Sequence, residues 1–194
     1  MRVRHLWVGA ALAAGVLAFG PGAMAAESFS LTDALSYPFV TGLVSAPHGD
    51  RIAWVRDVKG VRNVWVAEGP SFTPRQATRF TEDDGQELTQ LTFSPDGRLL
   101  VFVRGGDHDA NWPPPGGLEP DPTSSPIEPK VTLWSADPTG ANPAAKIVEG
   151  DAPAISSAGR LAYLKAGQGG TAKLDGGGAK RLVFDHGKDR ELAW

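Results

Sequence analysis

The sequence predicts an all-β fold assembled from repeated four-strand units, and three observations carry that expectation. The first is Phe93-Ser94-Pro95-Asp96-Gly97-Arg98-Leu99-Leu100-Val101-Phe102-Val103-Arg104, which reads as strand, tight turn, strand. Pro95 pre-sets φ for the second turn position, Asp96 tolerates the third, and Gly97 supplies the positive φ that returns the chain to a ladder. The run from Leu99 to Val103 does not alternate, so both faces of that strand must be covered, as in stacked sheets. The second observation is recurrence. Ser45-Ala46-Pro47-His48-Gly49-Asp50-Arg51-Ile52-Ala53-Trp54-Val55-Arg56 aligns without a gap, and Ser156-Ser157-Ala158-Gly159-Arg160-Leu161-Ala162-Tyr163-Leu164-Lys165 is a looser third copy. The third is the set of short strands after these copies: an aromatic-bearing strand (Asn63 to Ala67, Thr132 to Ala136) and a closing strand (Arg75 to Phe80, Ala145 to Val148, Lys180 to Phe184). Four short strands per repeat at the ~40–50-residue spacing of propeller blades predict an incomplete β-propeller of about three four-stranded blades.

In chain order, Arg2 and Arg4 precede an apolar run from Leu6 to Phe19, Pro21-Gly22 breaks it, and Ala23-Met24-Ala25 offers small residues to a signal peptidase. Residues 1–25 are therefore expected to be a signal peptide, the apolar run being shorter than the ~20 residues that span a bilayer. Residues 26–38 form a lead-in in which Ser30-Leu31-Thr32-Asp33 makes a capping box for a turn of helix that Pro38 stops. Blades are expected at about 39–81, 87–149 and 153–185, with the start of a fourth at 190–194.

Between the first two blades lies Glu82-Asp83-Asp84-Gly85, at a position where loops emerge at one mouth of a propeller. Three adjacent carboxylates suit a cation or a substrate amine, or else form a solvated acidic turn. The second blade carries a long insertion, residues 105–130, whose Pro113, Pro114, Pro115, Pro120, Pro122, Pro126 and Pro129 favour a polyproline-like excursion. Within it, Asp107-His108-Asp109 has metal-donor chemistry but a single imidazole, so it is read as polar loop and no metal is assigned. Trp112 is placed to stack on a ligand, since long loops in compact blades carry function or assembly contacts. Glu82, Asp83, Asp84, Asp107, His108, Asp109 and Trp112 are thus the candidates for substrate or partner contact. In the third blade Gly169-Gly170 stand where the others have Val64-Trp65 and Leu133-Trp134, so residues 165–180 are expected to be poorly ordered. With so few blades, Ile52, Trp54, Tyr163 and Leu164 are expected to stay half exposed on the outer faces, leaving the chain prone to associate.

The net charge of -3 provides no basic patch for nucleic acid, and with no cysteine there is neither a disulfide nor a lipid attachment point. No Gly-x-Ser-x-Gly elbow occurs, and His48, His108 and His186 sit in turns or loops without a matching nucleophile and acid. No catalytic residue and no cofactor site is assigned.

The Ser-Pro-Asp-Gly turn and the Val-Trp and Leu-Trp strands resemble the blade repeat of TolB-like propellers and of the N-terminal propeller of prolyl-oligopeptidase-family (S9) serine peptidases. The leader, Leu31 to Pro38, Gly60 to Gly69 and Thr81 to Leu88 extend the resemblance to secreted bacterial S9 peptidases of the dipeptidyl or acylaminoacyl type. That resemblance implies a propeller that admits short peptides to a C-terminal α/β-hydrolase domain, whose Ser, Asp and His would lie beyond this chain. The alternative is a stand-alone TolB-like propeller that binds a protein partner. Either way the expected location is periplasmic or secreted, with no membrane contact after cleavage of the leader. Because Lys188 to Trp194 has the register of Gln86 to Phe93, the end of the chain reads as the first strand of a further blade, and the chain as a fragment.

Overall fold

A computed structural model of the protein describes residues 30–105, 130–182 and 192. It opens with α1 (Leu31–Leu35), started by the expected capping box: the Asp33 N–H donates to Ser30 Oγ and the Ser30 N–H donates to Asp33 Oδ2, each at 3.1 Å. Pro38 then forces extended backbone. The described residues beyond it form three antiparallel four-stranded sheets, each in simple chain order. Blade 1 comprises β1 (Phe39–Ser45), β2 (Arg51–Val58), β3 (Val61–Glu68) and β4 (Arg75–Gln76). Blade 2 comprises β5 (Leu88–Phe93), β6 (Leu100–Arg104), β7 (Thr132–Ala136) and β8 (Ala145–Glu149). Blade 3 comprises β9 (Asp151–Ile155), β10 (Arg160–Lys165), β11 (Gln168–Lys173) and β12 (Lys180–Arg181).

The recurring turn explains the recurring hairpin. In blade 2, Gly97 has φ 67° and donates its N–H to the Ser94 carbonyl at 2.8 Å, while Ser94 Oγ accepts from the Leu99 N–H and donates to Asp96 at 2.6 Å. That hydroxyl holds the Asp96 carboxyl below its ordinary range, since it stabilises the charged form. Blade 3 repeats the geometry, with Gly159 at φ 73° and the Arg160 N–H on Ser156 Oγ.

The two inter-blade interfaces follow from register. Trp54 pairs across β2 and β3 with Trp65, Phe102 across β6 and β7 with Trp134, and Tyr163 across β10 and β11 with Gly170. Because side chains alternate along a strand, Ala53, Val55, Val64 and Val66 turn toward blade 2 and meet Leu100 and Phe102. Val101, Val103 and Leu133 turn the other way and meet Leu161, Tyr163 and Ala172 of blade 3. All of Leu100 to Val103 is fully buried, as the unbroken apolar run required.

Three local expectations need correction. The closing strand of blade 1 ends at Gln76 rather than Phe80, because buried Asn63 takes over from the ladder. Its Oδ1 accepts from Thr78 Oγ1 and the Phe80 N–H at 2.8 Å each, and its Nδ2 donates to the Phe80 carbonyl at 2.9 Å. The stretch 165–180, expected to be poorly ordered, contains a fully registered hairpin partner, β11. Here a side chain on Gly170 would come within 2.6 Å of the Tyr163 ring, so the glycine makes room for the tyrosine that covers it. Tyr163 and Leu164, expected to be half exposed, are 6% exposed each; Tyr163 lies on the face toward blade 2, in the position of Phe102. Ile52 and Trp54 are partly exposed, as expected.

Candidate functional site

The candidate mouth is the end of the blades at which β6 finishes and β7 begins. The repeat places a cation at the same aligned position of each second strand, Arg56, Arg104 and Lys165. Arg104 lies 4.6 Å over the Phe80 ring and 5.9 Å from the centre of Trp134, so its charge sits on two aromatic faces. It also donates to Asp84 Oδ2. Phe80 meets Trp134 edge-on, with centroids 5.6 Å apart and an interplanar angle of 89°. Beside it, Arg62 reaches Glu87 at 3.1 Å, Asp57 at 3.4 Å and Asp83 at 3.9 Å.

Two of the three carboxylates in the acidic run therefore already face arginines. Asp84 is half-buried, and its Oδ1 accepts from the Gln86 N–H at 3.1 Å. The Asp83 side chain is 63% exposed, and Glu82 is exposed with no ion-pair partner among the described residues. A substrate amine or cation would have to compete with Arg62 and Arg104 for Asp83 and Asp84, while Glu82 is open to solvent. Among the described residues no group of three or more His, Asp or Glu is arranged to hold a metal ion. His48 is exposed in the turn between β1 and β2. Asp107, His108, Asp109, Trp112 and His186 lie outside the described residues.

The structure brings the acidic run to the foot of the proline-rich insertion: Asp84 grips Arg104, one residue before Gly105. The other end of the insertion is tied as well. Lys130 donates to Glu149 Oε1 and Lys165 to Glu149 Oε2, both at 2.7 Å. Hydrogen bonds from these two ammonium groups lower the Glu149 carboxyl to about 2, and the same contact raises Lys130. Sequence reasoning missed Arg62, Arg104, Glu149 and Lys165 as parts of this end of the molecule. The available sign was the alignment of Arg56 with Arg104, which marked a repeated cation but not its partner. At the opposite end of blades 2 and 3 a groove of about 540 Å³ is lined by Leu99, Ser135, Lys146, Lys173 and Asp175 among others.

No protein-family model matches the chain. Over 66 residues it is 36% identical to dipeptidyl aminopeptidase BIII of Pseudoxanthomonas mexicana, a match that covers 33% of this chain and 9% of that protein. A solved prolyl endopeptidase chain superposes over 76% of this chain and 22% of its own length, with 12% identity and a TM-score of 0.50. The chain shares the propeller-blade fold with that structure. A solved TolB protein of Agrobacterium tumefaciens matches 76% of this propeller segment and 49% of that chain, at 15% identity and a TM-score of 0.48. The propeller segment thus spans at most about half the length of these relatives. Among its described residues no helix is long and apolar enough to cross a membrane.

Proposed function

We propose that this chain is the non-catalytic propeller portion of an exported S9-type serine peptidase. In this reading it controls the access of short peptides to an α/β-hydrolase domain of the full protein. The observation that carries this is the 36% identity to a dipeptidyl aminopeptidase on a chain whose sheets are propeller blades. The leader ahead of Ala26 supports export to the periplasm or beyond. At the mouth, exposed Glu82 and Asp83 are placed to draw a peptide's amino terminus, while Asp84 is held by Arg104. Asp107, His108, Asp109 and Trp112 belong to the insertion rooted beside them, and are the remaining peptide contacts of this reading.

The test is the nucleotide sequence downstream of the codon for Trp194. The expected result is a resumed Ser-Pro-Asp-Gly-type turn, further blades, and a Gly-x-Ser-x-Gly elbow followed by Asp and His in that order. Blades without an elbow before the stop codon would replace this reading with a stand-alone, partner-binding propeller of the TolB type. Absence of the turn in every frame would overturn both.

A further inference from the structure

The two interfaces between blades are built alike at the end opposite the mouth, yet one is filled by the chain's own side chains and the other is not. In each, a turn of the later blade leans on the outer strand of the earlier one. The Gly140 N–H donates to the Asp137 carbonyl and the Gly176 N–H to the Lys173 carbonyl, each at 2.9 Å. A side chain on Gly140 would come within 2.6 Å of the Gln76 carbonyl oxygen in β4, and one on Gly176 within 2.6 Å of the Ile147 carbonyl oxygen in β8. Beside the first turn the space is taken by arginines of blade 1. Arg75 Nε donates to the Pro138 carbonyl at 3.2 Å, Arg51 donates to the Gly97 carbonyl at 3.1 Å, and both pair with Glu68. Register gives their counterparts in blade 2. Ala145 faces Ser135 as Arg75 faces Val66, and Leu99 precedes the Leu100–Ala136 pair as Arg51 precedes the Ile52–Ala67 pair. An alanine and a leucine thus stand where two long cations stood, and the space left between blades 2 and 3 is the groove of about 540 Å³.

We propose that this groove binds an apolar monocarboxylate of about amino-acid size. Its apolar walls are Leu99 and Ala145 of blade 2 and Leu174 of blade 3, with the Ser135 hydroxyl beside them as a donor. The charge of the turn selects the charge of the occupant. In the first interface the turn residue is Asp137, whose carboxyl is held below its ordinary range by the Thr139 hydroxyl and N–H, by Asn142 and by the charge of Arg75. At the same position of the second turn stands Lys173, which has no ion pair among the described residues. The two other charged residues of the groove are engaged elsewhere: the Asp175 carboxylate accepts from the Gly177 N–H at 2.7 Å, and the Lys146 ammonium lies 5.4 Å over the Trp134 ring. Where the chain's own guanidinium met a carboxylate, a ligand carboxylate therefore meets an ammonium, and its apolar body covers Leu99, Ala145 and Leu174. A purely polar anion would leave those three side chains wet, and a neutral apolar ligand would forgo the charge pair at Lys173. The volume is that of an ordinary small-molecule site. Neither wall belongs to the mouth, so binding requires no hydrolase domain.

The test titrates the full chain with N-acetyl-leucine at neutral pH and follows the backbone amide resonances of Ser135, Ala145, Lys173 and Asp175. These should move with millimolar affinity, the range of a ligand of about a dozen heavy atoms, while those of Val66 and Arg75 at the filled interface stay still. N-acetyl-leucinamide keeps the apolar body and loses the charge; it should bind about fivefold more weakly, the worth of one exposed charge pair. Acetate, which keeps only the charge, should move none of these resonances at the same concentration. Lys173→Gln should cost the acid the same factor and leave the affinity of the amide unchanged, a split that a merely structural role for Lys173 would not produce. Ala145→Phe, which fills the groove from an exposed strand end, should abolish binding of both. Lys173 is itself exposed, so the comparison of acid and amide on Lys173→Gln decides the matter even where Ala145→Phe does not fold. Four outcomes overturn the proposal: no shift in the groove with N-acetyl-leucine, equal affinities for acid and amide, acetate shifts as large as those of N-acetyl-leucine, or an acid affinity that Lys173→Gln does not change.

Discussion

Replacing Asn63 by alanine tests how the first blade is closed. The Asn63 side chain makes three hydrogen bonds, to the Thr78 hydroxyl, the Phe80 N–H and the Phe80 carbonyl, and Asn63 is 5% exposed. Each such bond contributes about 0.5–1.5 kcal/mol net, and a buried backbone group left without a partner costs about 1–3 kcal/mol. Thr78, 1% exposed, would keep its donation from the Val64 N–H, but its hydroxyl proton would lose its acceptor. Water can reach part of the Phe80 backbone, which is only half-buried, so the lower end of the range applies there. The expected loss is about 2–4 kcal/mol, or roughly 4–16 °C in melting temperature for a chain of this size. Thermal unfolding followed by far-ultraviolet circular dichroism reads the shift. Phe80 should also be released from Trp134, so near-ultraviolet dichroism should fall even at temperatures where the fold persists. Asn63→Asp still accepts from Thr78 and the Phe80 N–H but sets a buried carboxylate oxygen against the Phe80 carbonyl, so it should also destabilise, and less at acidic pH, where the protonated acid can donate there. A shift below about 1 °C for Asn63→Ala would refute the claim that this side chain, rather than strand pairing, holds residues 77–80.

Other outcomes rest on the same geometry. Glu149 is held at about 2 against its ordinary 4.5, so its stabilising contribution is complete above about pH 4.5 and fades as the pH falls toward 2. Glu149→Gln should therefore lower the melting temperature at pH 6 and flatten its decline between pH 4.5 and pH 2, the comparison with wild type removing the parallel acid response of Asp96 and Asp137. Gly170→Ala should destabilise by about 1–3 kcal/mol, because its added carbon would lie 2.6 Å from Tyr163, and the cost should shrink in a Tyr163→Leu background when both are read by urea denaturation. The purified chain should hydrolyse no dipeptidyl or acyl-amino-acid chromogenic substrate above background, because it carries no nucleophile elbow; turnover that survives further purification would contradict this.

The sequence alone determined the four-strand repeat, the tight turns and the double-sided burial of Leu100 to Val103, because these depend on local backbone chemistry and on the period of apolar residues along the chain. The helix cap at Ser30 was legible for the same reason, its partners being three residues apart. What the sequence left undecided is where two distant segments meet. The acidic run read as three available carboxylates until the fold set Arg104, which lies twenty residues further on, against Asp84, and Arg62 of the preceding blade against Asp83 and Glu87. Gly169 and Gly170 read as a weakness because a missing side chain is counted locally, whereas Tyr163 fills that space only across the β10 and β11 register. The same holds for Asn63, whose side chain takes the place of a strand that propensity extends to Phe80. Local propensity decides which residues turn and extend, and only tertiary packing decides which charge is neutralised and which space is filled.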